Sequence, residues 1–329
     1  TGGGCPHILA EPQRTNLITY SEDFSDSSWT KLGGGTGTTA VVTSDYAISP
    51  DGTQNASRLQ CDLNGGGSSL SNQSLIYDLY SSSGDQALSI YLKSNNGSNQ
   101  TIYFANTQTS GDTITVTNEW QRFTFIHSTT NYVFAVGLRG RSGGAIDDTA
   151  DVLIWGAQVE VGSYPTSLIP TSGSTVTRNQ DIFTRDGIGS LINSTEGVLF
   201  VEMAALSNDT SSIIISINDG SLSNSVAIYY YSNVNNVASN IFNGGSNPSL
   251  IGTIPNSGTR YDFNKIALKY KSGDSALWIN GIEVFTLGDS ISLTGLNKIS
   301  FDYGNGSFDF YGKVKQLQVY DTALTDTQL

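Results

Sequence analysis

The chain has 329 residues, enough for two domains of ordinary size, each with its own hydrophobic core. Only 37% of the residues are hydrophobic, and 36 are glycine, a mixture that favours short strands joined by polar turns. The formal net charge of −13 argues against nucleic acid and anionic membrane as partners, because both would be repelled. No segment reaches the roughly 18 apolar residues of a membrane span, and the N-terminus does not read as a signal peptide.

The first half of the chain contains alternating apolar and polar runs that predict the strands of one β-sandwich. The clearest runs are ALSIYLKS, QTIYFAN, WQRFTFIH, NYVFAVGLRG and DVLIWGAQVE. Asn96-Gly97 separates the first two and predicts a hairpin. A turn centred on Gly97 would place Tyr91 opposite Tyr103, with both side chains pointing away from the core. The two tyrosines then form either a stacking surface for a sugar ring or a cross-strand pair that only stabilises the sheet.

Three further residues of the first half are candidates for ligand contacts. Trp29 follows a strand at the start of a loop and is assigned with equal weight to the core or to a binding site. Arg139 and Arg141 alternate with Leu138 in a glycine-rich segment, so both are expected to face solvent. There their guanidinium groups could donate paired hydrogen bonds to sugar hydroxyls or to a carboxylate, although an ordinary surface role remains open.

The cysteine and histidine content is small. Cys5 and Cys61 are the two cysteines, and they either form a disulfide or remain thiols. The two histidines, His7 and His127, are far apart in the sequence, and no CxxC motif is present, which argues against a zinc site.

A segment rich in proline, serine, threonine and glycine, SYPTSLIPTSGSTVTRNQD, has the composition of an ordered connector. From about Ile182 the strand pattern restarts, in GVLFVEMAAL, SSIIISIND, SVAIYYYSN, NKIALKYKS, SALWINGIEVF, NKISFDYG and GKVKQLQVYD. Asn280-Gly281 is the dipeptide of a type I′ hairpin, and it predicts that Ile279 pairs with Ile282 and Trp278 with Glu283.

Two clusters of side chains in the second half are candidate sites. Strand alternation places Tyr229 and Tyr231 on one face and Tyr230 on the other, so one or two of these tyrosines should be exposed. The glycine-rich stretch FDYGNGSFDFYG contributes Tyr303 as a further ligand contact. Its carboxylates and amide, on Asp302, Asn305 and Asp309, are candidate calcium ligands, although their spacing is not that of an EF-hand loop.

The sequence contains none of the catalytic patterns that occur on sandwich folds. The ExDxxE spacing of sandwich glycosidases, which places two carboxylates beside one glycosidic bond, is absent. So are the lyase patterns RxExR and QIH and the phosphate-binding glycine loops. We therefore predict that this chain is not an enzyme.

The segments EPQRTNLITYSEDF (Glu11–Phe24) and WGAQVEVGSYPTSLIPTSGSTVTRNQD (Trp155–Asp181), the hairpin around Asn280-Gly281 and the final KVKQLQVYDTALTDTQL carry a family resemblance. Together they resemble the paired modules of phage virion proteins, especially tail fibres and receptor-binding proteins. The resemblance implies an all-β chain of two consecutive β-sandwiches: a carbohydrate-binding-module-like jelly roll at residues 1–178, then a concanavalin A-like, laminin-G-like sandwich at 179–329. It also implies that the connector returns beside the first strand and that the chain is the C-terminal part of a longer polypeptide.

The function implied by the resemblance is non-catalytic recognition of a host cell-surface glycan by a virion protein. The expected partners are this polysaccharide and further copies of the chain, in a homo-oligomer such as a trimer, and calcium is the candidate cofactor. Two alternatives stay open at this stage. One is a structural or decorating virion module that binds no glycan, and the other is an accessory binding region of a polysaccharide-degrading enzyme.

Overall fold

The fold is that of a computed structural model, which describes residues 6–105, 112–127, 133–140, 146–207, 214–231, 235–244 and 247–329. The chain divides into two compact units. We call residues 13–179 the first sandwich, and residues 6–12 together with 180–329 the second sandwich. The sequence-based boundary assigned everything before residue 179 to the first domain, whereas the short N-terminal strand clusters with the second unit.

The elements follow one another as short strands. Up to residue 179 they are β1 (Ile8–Ala10), β2 (Arg14–Asn16), β3 (Thr30–Gly34), β4 (Val41–Ala47), β5 (Ala56–Asp62), β6 (Gln73–Leu79), β7 (Gln86–Ser94), β8 (Gln100–Ala105), β9 (Asp112–Val116), β10 (Gln121–His127), β11 (Val133–Arg139), β12 (Thr149–Val161) and β13 (Val176–Arg178). Beyond it they are β14 (Thr184–Arg185), β15 (Glu196–Ala205), β16 (Ile214–Asn218), β17 (Asn224–Tyr230), β18 (Asn236–Asn243), β19 (Ser249–Thr253), β20 (Asn264–Lys271), β21 (Ser275–Ile279), β22 (Ile282–Leu287), β23 (Lys298–Ser300) and β24 (Gly312–Tyr320).

In the first sandwich, two five-stranded antiparallel sheets enclose one apolar core. Their strand orders are β10-β7-β12-β5-β4 and β3-β6-β11-β8-β9. The core contains the inward-facing residues of both sheets, among them Leu88, Ile90, Leu92, Phe104 and Phe134. Period-2 alternation explains the predicted strands, because every second side chain of β7 enters this core.

The connector returns alongside the start of the first sandwich, as the family resemblance implies: β13 pairs with β2, and Arg178 lies opposite Arg14. Buried polar side chains hold this arrangement. The Asn16 side-chain amide donates to the carbonyls of Ala157 and Ile169, and its oxygen accepts from the amides of Ile18 and Val159. All four bonds are made inside the protein, so Asn16 is buried at no cost in unsatisfied polar groups.

The motif around Glu160 has the same architectural role. Its carboxylate accepts hydrogen bonds from the amide of Thr166, at 2.7 Å, and from the Thr166 hydroxyl, at 2.5 Å. Two residues earlier, the Gln158 side-chain oxygen accepts from the amide of Ile169 at 2.6 Å. The side chains of Gln158 and Glu160 therefore hold the connector through hydrogen bonds to its backbone and to the Thr166 hydroxyl.

The predicted hairpin at Asn96-Gly97 is wrong. Strand β7 pairs with β10 and β12, whereas β8 pairs with β9 and β11, so the residues between them cross from one sheet to the other. Of the dipeptide only Gly97 has a positive φ, whereas a type I′ turn needs positive φ at both central residues. Tyr91 and Tyr103 consequently belong to different sheets and do not face each other.

In the second sandwich, two six-stranded antiparallel sheets have the orders β1-β24-β15-β20-β21-β22 and β14-β23-β16-β17-β18-β19. Strand β1 pairs with β24 and thereby extends the first of these sheets with the beginning of the chain. The hairpin at Asn280-Gly281 is confirmed: Ile279 lies opposite Ile282 and Trp278 opposite Glu283. Both turn residues have positive φ, 53° and 79°, as a type I′ turn requires.

The predicted fold class, an all-β chain with two consecutive sandwiches, is confirmed. Strands β18 and β19 were not among the predicted strands, because their sequences, NVASNIFN and SLIGT, alternate only weakly. In the part of the chain that the structure describes, no helix is long and apolar enough to cross a bilayer.

Candidate binding surface

The candidate site lies on the outer face of the sheet that contains β17 in the second sandwich. The alternation predicted for the three consecutive tyrosines is confirmed. Tyr230 is fully buried in the core, where its hydroxyl donates to the carbonyl of Met203 at 2.8 Å. Tyr229 is half-buried and Tyr231 is 39% exposed, and both lie on the outer face.

A covering loop, residues 301–311 between β23 and β24, folds over part of this outer face. The hydroxyl of Ser216, on β16, donates to the carbonyl of Asp302 at 2.7 Å. Gly304 has a φ of +98° and lies so close to β16 that an added Cβ would come within 2.5 Å of the Asn218 side chain. The loop backbone therefore rests directly on the sheet, and it holds Tyr303 beside the tyrosines of β17.

Five aromatic side chains meet where the loop reaches the strand. Tyr229 lies 6.3 Å, between ring centroids, from both Tyr231 and Tyr303. Tyr303 in turn makes edge-to-face contacts with Phe242, on β18, at 5.7 Å and with Phe308 at 5.4 Å. Phe308 is 52% exposed. We call these five residues the aromatic cluster.

The pairing of the strands explains why the rings can gather here. On the outer face, Ala227 lies opposite Asn240, and Ala238 lies opposite Tyr229. Because the two alanine side chains are small, they leave space for the aromatic rings at neighbouring positions to pack above them. The result is an apolar surface, bordered by Ile214 opposite Tyr229 and by Ile251 opposite Ala238.

Asn240 links the hydroxyl groups of the cluster. Its side-chain oxygen accepts from the Tyr229 hydroxyl at 3.0 Å, and its amide donates to the Tyr303 hydroxyl at 3.4 Å. Burial, with Tyr229 close by, raises the pKa of Tyr303 to about 12, and burial also raises the pKa of Tyr229. Both phenols therefore stay neutral at physiological pH and can accept or donate hydrogen bonds.

The structure thus brings together three of the predicted ligand contacts, Tyr229, Tyr231 and Tyr303. Sequence reasoning missed Phe242, Phe308 and Asn240. Alternation within β18 would have placed Asn240 and Phe242 on one face, but the pairing of β18 with β17 is not visible in the sequence. Phe308 has a φ of +60°, which no sequence pattern indicates for a bulky residue.

The predicted contacts of the first sandwich do not form a comparable surface. Tyr103 is fully buried, so its predicted exposure as a ligand contact is wrong, although along β8 it alternates with the core residues Ile102 and Phe104. Trp29 belongs to the core as well: its ring packs on Phe24 and Phe134, and its indole N–H donates to the carbonyl of Tyr20 at 2.8 Å.

The two predicted arginines and Tyr91 complete this set. Arg139 is only 7% exposed, so the expectation that it faces solvent is wrong, and Arg141 lies outside the described residues. Tyr91 does lie on an outer face, but its ring packs against Trp155 at 5.2 Å and under the guanidinium of Arg122 at 5.5 Å. Tyr91 is half-buried, and among the described residues no exposed ring packs against it.

The three predicted calcium ligands all make bonds within the protein. Asp302 accepts from the amide of Gly304, Asn305 from the amide of Ser307, and Asp309 from the side chains of Gln180 and Tyr311. Burial, together with the charge of Asp302, raises the pKa of Asp309. The described residues contain no group of three or more histidine, cysteine, aspartate or glutamate side chains arranged for a metal, and calcium here stays a prediction.

The first sandwich contains a polar pocket of about 380 Å³. Its lining includes three acidic residues, Glu22, Asp23 and Asp45, and one aromatic ring, Tyr20. Cys61, elsewhere in this unit, is buried and has no disulfide partner among the described residues, which do not include Cys5, and burial raises the pKa of its thiol to about 12. Neither feature supplies the exposed rings that distinguish the aromatic cluster.

No protein-family model matches the chain, and no curated protein matches it. Among solved structures it is similar to the CBM40 of the Ruminococcus gnavus IT-sialidase bound to α2,3-sialyllactose, with 19% identity over 45% of this chain and 96% of that one, and a TM-score of 0.36. It is also similar to the CBM22 tandem of Paenibacillus barcinonensis Xyn10C (13% identity, 96% and 100% covered, TM-score 0.30). Domains LG4-5 of the mouse laminin α1 chain are similar too (9% identity, 99% and 96% covered, TM-score 0.31). Such low TM-scores carry neither fold nor function across, so the fold assignment rests on the strand topology.

Proposed function

We propose that this chain is a non-catalytic glycan-binding module and that the aromatic cluster of the second sandwich is its binding surface. The observation that carries the proposal is the cluster itself. Three tyrosines and two phenylalanines from two strands and a loop meet on one sheet face, and Tyr231 and Phe308 remain well exposed. Aromatic faces stack on the apolar faces of pyranose rings, which is the usual way in which shallow protein surfaces hold sugars.

The polar groups around the rings suit the same ligand. The hydroxyls of Tyr229 and Tyr303 and the amide of Asn240 form a linked set, and the Ser249 hydroxyl lies within hydrogen-bonding reach of Tyr229. Phenols, amides and hydroxyls act as donors and acceptors without net charge, and they match the hydroxyl groups of a sugar. Stacking fixes the plane of the sugar ring, while these groups select its orientation.

The finer proposal is that the glycan belongs to a host cell surface and that the chain is part of a phage virion protein such as a tail fibre. The support for it is the resemblance of the segments Glu11–Phe24 and Trp155–Asp181 to those proteins. A shallow surface binds one sugar weakly. A homo-oligomer, such as a trimer displayed in several copies, would multiply the apparent affinity by about 10² or more through avidity.

A structural virion module remains the second candidate, and the first sandwich supplies the observation that favours it. There Tyr91, Trp155 and Arg122 pack on one another, and the polar residues of the resembling motif are occupied by backbone bonds. A unit whose aromatic and polar side chains serve its own packing has the features of a spacer. The two candidates are compatible if the first sandwich supports and the second binds.

A glycan array that includes host cell-surface polysaccharide, run with and without added calcium, tests the proposal. We expect saturable binding by the multivalent wild-type chain, and a loss of at least about tenfold in Tyr229→Ala. Tyr261→Ala is the matched control, because Tyr261 is a 49% exposed tyrosine of the same sandwich that is not in the cluster. If no glycan or host cell is bound, or if both variants lose binding equally, the proposal fails.

A further inference from the structure

The segments that build the aromatic cluster carry no basic side chain. Residues 186–259, which include β16, β17, β18 and β19, contain no lysine, arginine or histidine, but five acidic residues. The covering loop, residues 301–311, contains two aspartates and likewise no base. A surface that binds a negatively charged sugar would be expected to contain basic side chains, and the sequences of these segments contain none.

Two basic residues on neighbouring elements, Arg260 and Lys298, are engaged elsewhere. Arg260 is fully buried and donates to the backbone carbonyl of Tyr231 from inside the sandwich, with its guanidinium 5.7 Å from the ring centre of Tyr230. Lys298 lies on the outer face in line with Asn218, and its ammonium group is 3.7 Å from the carboxylate of Asp186. Neither residue offers a cation to a ligand on the cluster.

Proteins recognise carboxylate and sulfate groups mainly through charge-assisted hydrogen bonds from arginine or lysine. On the aromatic cluster an anionic sugar would lose its hydration without gaining such a partner, on a chain whose net charge of −13 repels it. The hydroxyls of Tyr229 and Tyr303 carry no charge at neutral pH, because burial raises their pKa values and keeps both phenols protonated.

We infer that the aromatic cluster selects neutral glycans and discriminates against sugars that carry a carboxylate or a sulfate. This inference rests on the proposed function and deepens it, because it names the chemical class of the ligand. The surface uses rings, amides and hydroxyls alone, so a hexose or N-acetylhexosamine satisfies it. A sialic or uronic acid in the same position leaves its charge unpaired.

Matched pairs of sugars test the inference on the intact chain. The probes are lactose and α2,3-sialyllactose, oligogalactose and oligogalacturonate, and the host polysaccharide with its carboxylates either free or reduced to alcohols. For the pair in which the neutral member binds, we expect the anionic member to bind at least about tenfold more weakly at low salt. The difference should narrow as ionic strength rises, because salt screens the repulsion, while binding of the neutral member should stay unchanged.

A charge placed at the cluster should relax this selectivity. Ser249 is exposed on β19 beside Tyr229, and Ser249→Lys adds a cation there; we expect it to strengthen binding of the anionic member by roughly three- to tenfold. Thr322→Lys is the control, because it adds the same charge away from the cluster. Thr322 is exposed and directly follows β24, which belongs to the opposite sheet of the same sandwich.

The outcomes separate the two proposals. If anionic members bind as tightly as neutral ones and Tyr303→Ala abolishes both, the cluster binds glycan but the inference about charge is wrong. If Thr322→Lys strengthens anionic binding as much as Ser249→Lys, overall charge rather than the cluster sets the preference, and the inference is again wrong. If neither member of any pair binds, the proposed function fails, and the inference fails with it.

Discussion

The outer faces of the two sandwiches carry similar residues in different surroundings. In the first sandwich, Tyr91 is flanked by Trp155 and Arg122. In the same sheet, an ion pair at 2.6 Å joins Arg58 on β5 to Asp151 on β12. In the second, Tyr229 lies between Ile214 and Ala238 of the adjacent strands, next to Tyr231, and the covering loop adds further rings. An exposed strand position is therefore not sufficient for a binding surface. Some of the neighbouring rings must also stay exposed, as Tyr231 and Phe308 do in the second sandwich.

The largest expected difference is between two tyrosines. Tyr103 is fully buried, so Tyr103→Ala should lower the free energy of unfolding by about 3–5 kcal/mol through lost burial and a cavity. Tyr303 is half-buried, so Tyr303→Ala should cost only about 1 kcal/mol. Urea unfolding of both variants, followed by circular dichroism, measures the difference. Equal losses would mean that the cluster is part of a core and not an open surface.

The second prediction concerns the contact between the covering loop and β16. Gly304 and Gly306 both have positive φ, and an alanine at either should cost about 1 kcal/mol of backbone strain. Only Gly304→Ala also drives a methyl group into Asn218, whereas the space around Gly306 is open. We therefore expect Gly304→Ala to displace Tyr303 and weaken glycan binding by at least about tenfold, with Gly306→Ala close to wild type. If both variants bind alike in a titration, the contact with Asn218 does not position the ring.

The third prediction is smaller and concerns the ion pair of the first sandwich. The hydrogen bonds from Arg58 hold the pKa of Asp151 below its usual value of about 3.9, so the pair stabilises the folded state above that pH. Its contribution is lost as the pH falls through the folded-state pKa of Asp151. Arg58→Ala should cost about 1 kcal/mol at pH 7 and progressively less below pH 4.

Urea unfolding at several pH values checks this, with Lys271→Ala as a control. Lys271 and Glu196 form a more exposed pair at 3.1 Å in the second sandwich, for which we expect less than about 0.5 kcal/mol. A cost for Arg58→Ala that does not change with pH would show that packing on the Tyr46 ring, 5.1 Å from the guanidinium, dominates over the ion pair.

Local patterns in the sequence predicted what is local in the structure. Asn280-Gly281 specified the register of its hairpin to the residue, and alternation assigned Tyr229, Tyr230 and Tyr231 to the correct faces. The dipeptide Asn96-Gly97 has the same composition but connects two sheets, since the pairing partners of β7 and β8 are set by residues far along the chain. The predicted pairing of Tyr91 with Tyr103 was wrong for this reason.

The remaining features depend on contacts between distant segments. Strand β1 pairs with β24 more than 300 positions later, and the covering loop lies on β16 through bonds and packing that involve Ser216 and Asn218. No periodicity within either segment indicates such a partner. The aromatic cluster therefore had to be recognised in three dimensions, although three of its five rings were named from the sequence.

The most direct test of the central claim is fluorine NMR of the intact chain with 3-fluorotyrosine in place of tyrosine, each resonance assigned by a Tyr→Phe variant. A neutral glycan selected on the array is then titrated into the sample. We predict that the signals of Tyr229, Tyr231 and Tyr303 shift together with one saturation curve, while those of Tyr91 and Tyr103 stay in place. Saturable shifts at Tyr91 with none at the three cluster tyrosines would contradict the account and assign binding to the first sandwich.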